Sequence, residues 1–546
     1  MFLIVYHLYS ASIKTFVSIE MNVCLRVIAY TITSSLEFTP SWILKWHPWR
    51  LIHWFIFGGG VVYTIWSLSV SIESEFIVND VPEAFTPSLY GFQRKQDNMQ
   101  FGWTITRSYL RDSLKWLLLH PILGRATAYA APSLVPVFHS VYSLLAVASV
   151  FSWEVAVLFL CEHALFYGIT ALRNPALSYI ITLFILGQNY IFTSPNLGYF
   201  SRKHGPLCYM VTYVAFYWNI ARCLSFSVDF LKAERLKPEE SRCRWPPYWK
   251  TLAYVIYVPT VYLGPLQNYD DYVGQVDKDR PACTPQEIAC SIARFLRCGA
   301  HFALMEAMTH FIYSGTMARF PWLIEELDNT CICGFVMATH FFFYVRYLFT
   351  YGFAGALASA EGIEIPPPAK CVGRMSKASQ FWRYLDRGMH LYIRRYFYEP
   401  VQGNRKTPGW ILIGTAAAFS FTWCWHGMRK GDGIWCFLCV VCLSFEALVT
   451  EVRKLRFMKS FEARYLGTPE RMREAAAVLG SPQYLLTIVA CLFHVVNVEV
   501  SFTVCKRALF GFPFPLLPVL VAMYSACHIS FDALQWEEEA EKRKNS

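Results

Sequence analysis

Apolar runs long enough to cross a bilayer recur in this chain from residue 51 to residue 530, and they constrain its environment before any motif is considered. A spanning helix needs about 20 mostly apolar residues. The candidate runs are 51–72, 134–151, 153–171, 176–192, 208–230, 252–266, 299–313, 333–351, 410–425, 434–449, 484–504 and 509–530. Residues 116–121 read as a further, half-penetrating segment. Only 16% of residues are charged, where soluble domains average about 25%. Aromatics at 17% suit a chain with two membrane interfaces to anchor. The pattern predicts an all-α polytopic membrane protein with about ten to twelve spans. Pro259 and Pro265 interrupt one run, and broken helices at membrane depth survive only where they pack within protein or line a cavity.

The remaining composition excludes several classes. The 18 cysteines do not form a disulfide framework. Cys161, Cys223, Cys439, Cys442 and Cys491 sit in apolar runs, where cysteine serves as a small buried hydrophobe. Cys331 and Cys333 are too close for a metal knuckle and read as a helix start. The net charge of +10 fits two readings: basic cytosolic loops, or an acidic substrate arriving from the cytosol. Nothing points to nucleic acid. There is no internal repeat of solenoid length. The expected organisation is a leader or extension at 1–50, one transmembrane domain at 51–534 and a charged cytosolic tail at 535–546. Met21 is an alternative start. Loops are expected at 233–247, 270–285 and 361–379.

Three residues carry the chemical reading. His426 ends the apolar run 410–425, and a titratable side chain there is a functional-site hypothesis by default. Its bland alternative is a polar residue hydrogen-bonded across a helix interface. Asp386 lies in a stretch, 371–404, where Arg383, Arg387, Arg394 and Arg395 interleave with Trp382, Tyr384, Tyr392 and Tyr396. That pattern predicts an amphipathic helix in the headgroup layer, ending at Glu399-Pro400. Such a helix would bring Asp386 towards His426 across a cavity. Taken alone, Asp386 also reads as a surface carboxylate paired with arginine, and Cys371 as a loop cysteine. Glu162, His163, Glu306, His310 and Glu499 are further intramembrane polar residues, read as structural or tunnel-lining.

The motifs resemble those of membrane-bound O-acyltransferases, and within them the hedgehog acyltransferase branch. They are Trp382-Arg383-Tyr384-Leu385-Asp386-Arg387-Gly388-Met389-His390, then Arg394-Arg395-Tyr396-Phe397-Tyr398-Glu399-Pro400-Val401, then Cys424-Trp425-His426-Gly427. The signature region is 371–427, and the likeness extends over roughly residues 103–536. Arg387, Glu399 and Gln402 depart from the family pattern.

The resemblance implies a bundle of spanning, re-entrant and interfacial helices around a central tunnel. It implies His426 and Asp386 as the reaction-centre pair. Trp382 would contact acyl-CoA, beside Arg383, Arg395 and Tyr398, and Asn497 would be a candidate oxyanion donor. Cys371 would be the thiolate ligand of a structural haem b. The implied reaction moves palmitoyl from palmitoyl-CoA to the N-terminal cysteine amine of a secreted, hedgehog-like protein. Membrane lipids surround it. Rival readings are O-acylation of a lipid or glycan, a non-enzymatic regulator of the same family, and a proton-coupled transporter. The retained histidine argues against the regulator, and the missing repeat symmetry against the transporter. The expected location is the endoplasmic reticulum, cycling with the Golgi. The tail Lys542-Arg543-Lys544-Asn545-Ser546 reads equally as a di-lysine retrieval signal or as a solvated charged end.

Overall fold

A computed structural model describes residues 48–545, apart from 72–75, 89, 277, 279, 281–282, 406 and 513. The expected N-terminal extension, with Met21, lies outside the described residues except for its last few positions. The protein is helical almost throughout, with one two-stranded pairing, Phe85–Thr86 against Gln96–Asp97. We number the principal helices α1 (Trp49–Ser71), α2 (Phe101–Ala130), α3 (Val135–Val150), α4 (Trp153–Ala171), α5 (Pro175–His204), α6 (Pro206–Arg235), α7 (Tyr248–Val255), α8 (Tyr269–Val276), α9 (Pro285–Phe311) and α10 (Asn329–Glu361). The second half holds α11 (Ala378–Tyr384), α12 (Arg387–Ile393), α13 (Pro408–Trp425), α14 (Lys430–Val452), α15 (Arg456–Tyr465), α16 (Pro469–Val495), α17 (Val498–Phe510) and α18 (Leu516–Asn545).

Among the described residues, eight helices are long and apolar enough to span: α1, α3, α4, α9, α10, α14, α16 and α18. That is fewer than the sequence suggests, for physical reasons. In α6 the run 208–230 buries Asn219, Arg222 and Asp229, which suits an inner helix. Pro175–Gly187 of α5 is a shorter apolar stretch. Run 252–266 is no span at all. α7 stops at Val255, a 3-10 turn follows at Val258–Thr260, and the segment is buried within protein. Run 484–504 breaks at extended Val496, where Asn497 caps α17. Residues 116–121 are no half-penetrating segment but the middle of continuous α2, with Pro121 inside it. The loop expected at 270–285 contains α8. Cys161 faces outward. The charged tail continues α18 as helix.

The single interfacial helix expected over 371–404 is in fact α11, α12, a π turn at Arg394–Tyr398 and a short helix Glu399–Gln402. It breaks at Asp386 because that carboxylate caps α12. It runs past Pro400 because proline is tolerated in a helix's first turn.

α10 is the central strut, packing against α1, α2, α9, α16 and α17. Asp328 starts it by accepting the Cys331 amide at 2.7 Å, and Gly362 ends it at φ 87°. α1 docks on it through Gly334, where an added Cβ would stand 2.1 Å from the Thr64 carbonyl oxygen. Small residues allow such close helix approach in membranes. Gly334→Ala should therefore push α1 off α10 and destabilise the protein by about 1–3 kcal/mol. Thermal unfolding in detergent would read this, with Gly58→Ala, which meets nothing within 4 Å, as the neutral control.

Candidate active site

The Trp-His-Gly motif is a helix end. His426 is the C-terminal cap of α13, its amide on the Thr422 carbonyl at 3.1 Å. Gly427 (φ 75°) and Met428 (φ 54°) then turn left-handed and reverse the chain into α14. Glycine is the residue that takes such a φ without steric cost. The turn closes with the Met428 amide on the Trp423 carbonyl at 3.0 Å. The imidazole is thus delivered on a tight hairpin between α13 and α14.

Three elements meet His426. Its ring lies edge-on to Trp435 of α14 (centroids 5.3 Å) and to His494 of α16 (4.8 Å). Trp435 stacks on His494 at 4.1 Å and on Trp382 of α11 at 5.1 Å. His494 Nδ1 is 2.7 Å from Asp432 Oδ1, and Arg429 Nε donates to Asp432 Oδ2 at 2.8 Å. A carboxylate accepts, so His494 Nδ1 carries the proton of this hydrogen bond. The candidate ligand atoms of His426, Asp432 and His494 all lie within 4.8 Å of one another.

Asp386 has different partners. Oδ1 accepts the Met389 amide at 2.9 Å as the N-cap of α12, and Oδ2 accepts the Tyr351 hydroxyl of α10 at 2.6 Å. Burial pushes its carboxyl above the ordinary range, opposed by these hydrogen bonds. Among the described residues, Asp386 and His426 are not hydrogen-bonded to each other; the carboxylate grouped with the imidazole is Asp432. Gly388 explains the rest of the Asp386 motif. A Cβ there would stand 2.3 Å from the Leu266 carbonyl oxygen, so the start of α12 sits directly on the broken segment after α7.

The other sequence-derived residues separate by role. Trp382 joins the His426 cluster through Trp435. Arg383 is exposed. Arg395 is committed to Asp229 (2.8 Å) and to Asp270. Tyr398 packs on α13, within 3.1 Å of a Cβ placed on Gly414. Asn497 caps α17 through the Glu499 amide at 3.2 Å. Cys371 is half-buried before a 3-10 turn (Val372–Arg374) seated on α18. An added Cβ on Gly373 would meet only the Cys371 Sγ, at 3.8 Å. The departures are also explained. Glu399 pairs with Arg394 at 2.9 Å, Arg387 is exposed, and Gly403 keeps the left-handed position (φ 57°) that follows Gln402.

Sequence reasoning missed Asp432 and His494. His494 is a titratable residue in an apolar run, the same signal that marked His426. Asp432 follows the hairpin with Arg429 one turn away, a spacing that forms an i,i+3 pair.

These features define a multi-pass membrane protein with an imidazole–carboxylate centre held between helices. The profile of the MBOAT, membrane-bound O-acyltransferase, family matches residues 115–486. The protein-cysteine N-palmitoyltransferase HHAT of Mus musculus is 25% identical over 480 residues, covering 84% of this chain and 92% of that protein. The protein-cysteine N-palmitoyltransferase Rasp of Drosophila melanogaster is 24% identical over 392 residues, covering 70% and 74%. The membrane-bound O-acyltransferase GUP1 of Saccharomyces cerevisiae is 21% identical over 402 residues, covering 66% and 70%. The chain belongs to the membrane-bound O-acyltransferase family, and is an acyltransferase of that kind.

The close approach at Gly388 carries a prediction. Gly388→Ala should displace α12 from Leu266, move Asp386 with it, and lower the thermal midpoint in detergent, whereas Gly274→Ala, in open space, should not.

Proposed function

We propose that the protein transfers a long acyl chain, palmitoyl first among them, from acyl-CoA to the N-terminal amine of a secreted, hedgehog-like protein that begins with cysteine. The observation that carries this reading is His426 seated against the Asp432–His494 pair at the end of α13. Two relatives named as protein-cysteine N-palmitoyltransferases support it.

The proposed roles are these. An α-amino group has a pKa of about 7.7–8.0, so its deprotonation costs little near neutral pH. The neutral amine nitrogen attacks the thioester carbonyl, His426 as general base takes the proton that the nitrogen sheds as the C–N bond forms, the C–S bond breaks, and the imidazolium returns that proton to the CoA thiolate. Asp432 fixes His494, which with Trp435 fixes the His426 ring. Asp386, held by Tyr351, positions the incoming amine. Asn497 lends its amide to the developing oxyanion. Exposed Arg383 meets the CoA phosphates, Trp382 and Tyr398 border the acyl entry, and Arg395 braces the region through Asp229.

An apolar cleft between α1, α10, α16, α17 and α18 suits the acyl tail. Ile488, Val489 and Leu492 of α16 line it, and Val489 also packs against the cluster holding Trp435. The same helix therefore borders the cleft and presents His494.

We further propose Cys371 as the thiolate ligand of a haem b. Such a haem would serve structure rather than the transfer, and Cys371 would hold its iron. The purified protein should show a Soret band that Cys371→Ser abolishes or shifts, and a colourless, fully active preparation would reject the haem. We place the protein in the endoplasmic reticulum, exchanging with the Golgi, with residues 535–546 in the cytosol.

Purified protein, labelled palmitoyl-CoA and peptides with free or acetylated N-terminal cysteine test the reaction. Label should enter only the free peptide. His426→Ala should lower the rate about 10²–10⁴-fold without loss of fold. Asp386→Asn should remove most activity, and Asp432→Asn should also lower it. Full turnover in His426→Ala would sink the mechanism. Label in lipid instead of peptide would favour the second reading, O-acylation, which the GUP1 similarity keeps in view.

A further inference from the structure

A second group of ligating side chains lies away from His426, on other helices. His120 of α2, His139 of α3 and Glu361 at the end of α10 are each 0% exposed. Their ligand atoms all lie within 4.8 Å of one another. The two imidazole centroids are 5.0 Å apart, and His139 Nε2 contacts Glu361 Oε1 directly. His120 Nδ1 stands 3.4 Å from Glu361 Oε2.

Two observations separate this group from an ordinary buried ion pair. First, His120 Nε2 makes no hydrogen bond and Nδ1 has only the 3.4 Å approach to Glu361, although the residue is wholly buried. Burying a polar ring without partners is costly. Second, the outer partners follow the pattern of a metal site. The other nitrogen of His139, Nδ1, lies 2.8 Å from the Tyr272 hydroxyl, and the Tyr257 hydroxyl donates to Glu361 Oε2 at 2.7 Å. Metal-binding imidazoles are held in this way through their second nitrogen, and ligating carboxylates are themselves hydrogen-bonded. Nearby guanidiniums have other commitments: Arg280 donates to the Gln275 carbonyl at 2.8 Å, and Arg125 pairs with Glu287 at 3.5 Å.

We propose that His120, His139 and Glu361 bind one divalent transition-metal ion, with zinc the best match. Two imidazoles and one carboxylate are a recognised zinc set with an open fourth position. Zinc bonds of about 2.0–2.1 Å place tetrahedral ligands about 3.3 Å apart, close to the His120–Glu361 separation, and the direct His139–Glu361 contact opens to that spacing when the ion enters. The ion ties α2, α3 and α10 together beside the broken segment that carries Tyr257. It takes no part in acyl transfer.

The full-length protein, purified on a tag without histidine, would be loaded with zinc, desalted and assayed by elemental mass spectrometry. Iron held as haem is read separately by its Soret absorbance. One zinc per chain is expected, retained in His494→Ala and lost in Glu361→Gln and His139→Ala. Should those variants fail to fold, cobalt(II) loading of the native protein should give the d–d absorption of a tetrahedral nitrogen–oxygen site, and a chelator should lower its thermal midpoint reversibly. Substoichiometric zinc, metal kept in Glu361→Gln, metal lost only in His494→Ala, or no cobalt spectrum would each overturn the proposal.

Discussion

A bilayer offers no water to a polar group, so each charge buried between these helices needs a partner from another part of the chain. This constraint organises the bundle. Glu306 on α9 accepts from Trp103 at 2.5 Å and pairs with Arg107 at 3.2 Å, which locks α2 to α9. Asp97 accepts the Gly315 and Thr316 amides and fixes the β-hairpin to the turn after α9. Asp229 joins Arg395 and Tyr396, clamping the π turn to α6. Asp532 on α18 takes Arg473 at 2.7 Å and Arg50 at 3.5 Å. Apolar packing in lipid gives little driving force between helices, so such pairs carry much of the specificity of assembly.

The same constraint shapes the active centre. Three groups, from a hairpin and two helices, occupy one small volume, and each limits the others' freedom. Asp432 is shared between Arg429 and His494, so it is not a lone charge in an apolar setting. Trp435, sandwiched between Trp382 and His494, fills the space that water would otherwise occupy. An imidazole in such a setting is fixed in orientation, as the proposed general-base role of His426 needs.

The features legible in the sequence were those set by local chemistry. Apolar runs gave most of the spanning helices, and His426 was legible as a polar residue at the end of one apolar run, because both signals are contained in a few neighbouring residues. What stayed hidden depended on contacts far apart in sequence. Asp432 and His494 join His426 only after α14 and α16 pack. Residues 484–504 look like one span by composition, yet Asn497 caps a new helix there because its amide reaches the Ala318 carbonyl at 3.1 Å. Arg395 reads as an available cation until α6 and α8 supply Asp229 and Asp270.

The segment between α7 and α8 shows why an unwound stretch can persist inside the bundle. Its backbone lacks helical hydrogen bonds, so it must be covered by protein. Residues 252–268 are buried almost throughout, and the Arg222 guanidinium donates to the Val255 carbonyl at 3.1 Å and also to the Thr260 carbonyl. Arg222 is itself 1% exposed, so its charge is satisfied by carbonyls that a continuous helix would have used internally. The break in the helix and the buried arginine therefore require each other. The freed Leu266 backbone then becomes the surface on which Gly388 rests, and that contact sets where Asp386 stands relative to α10.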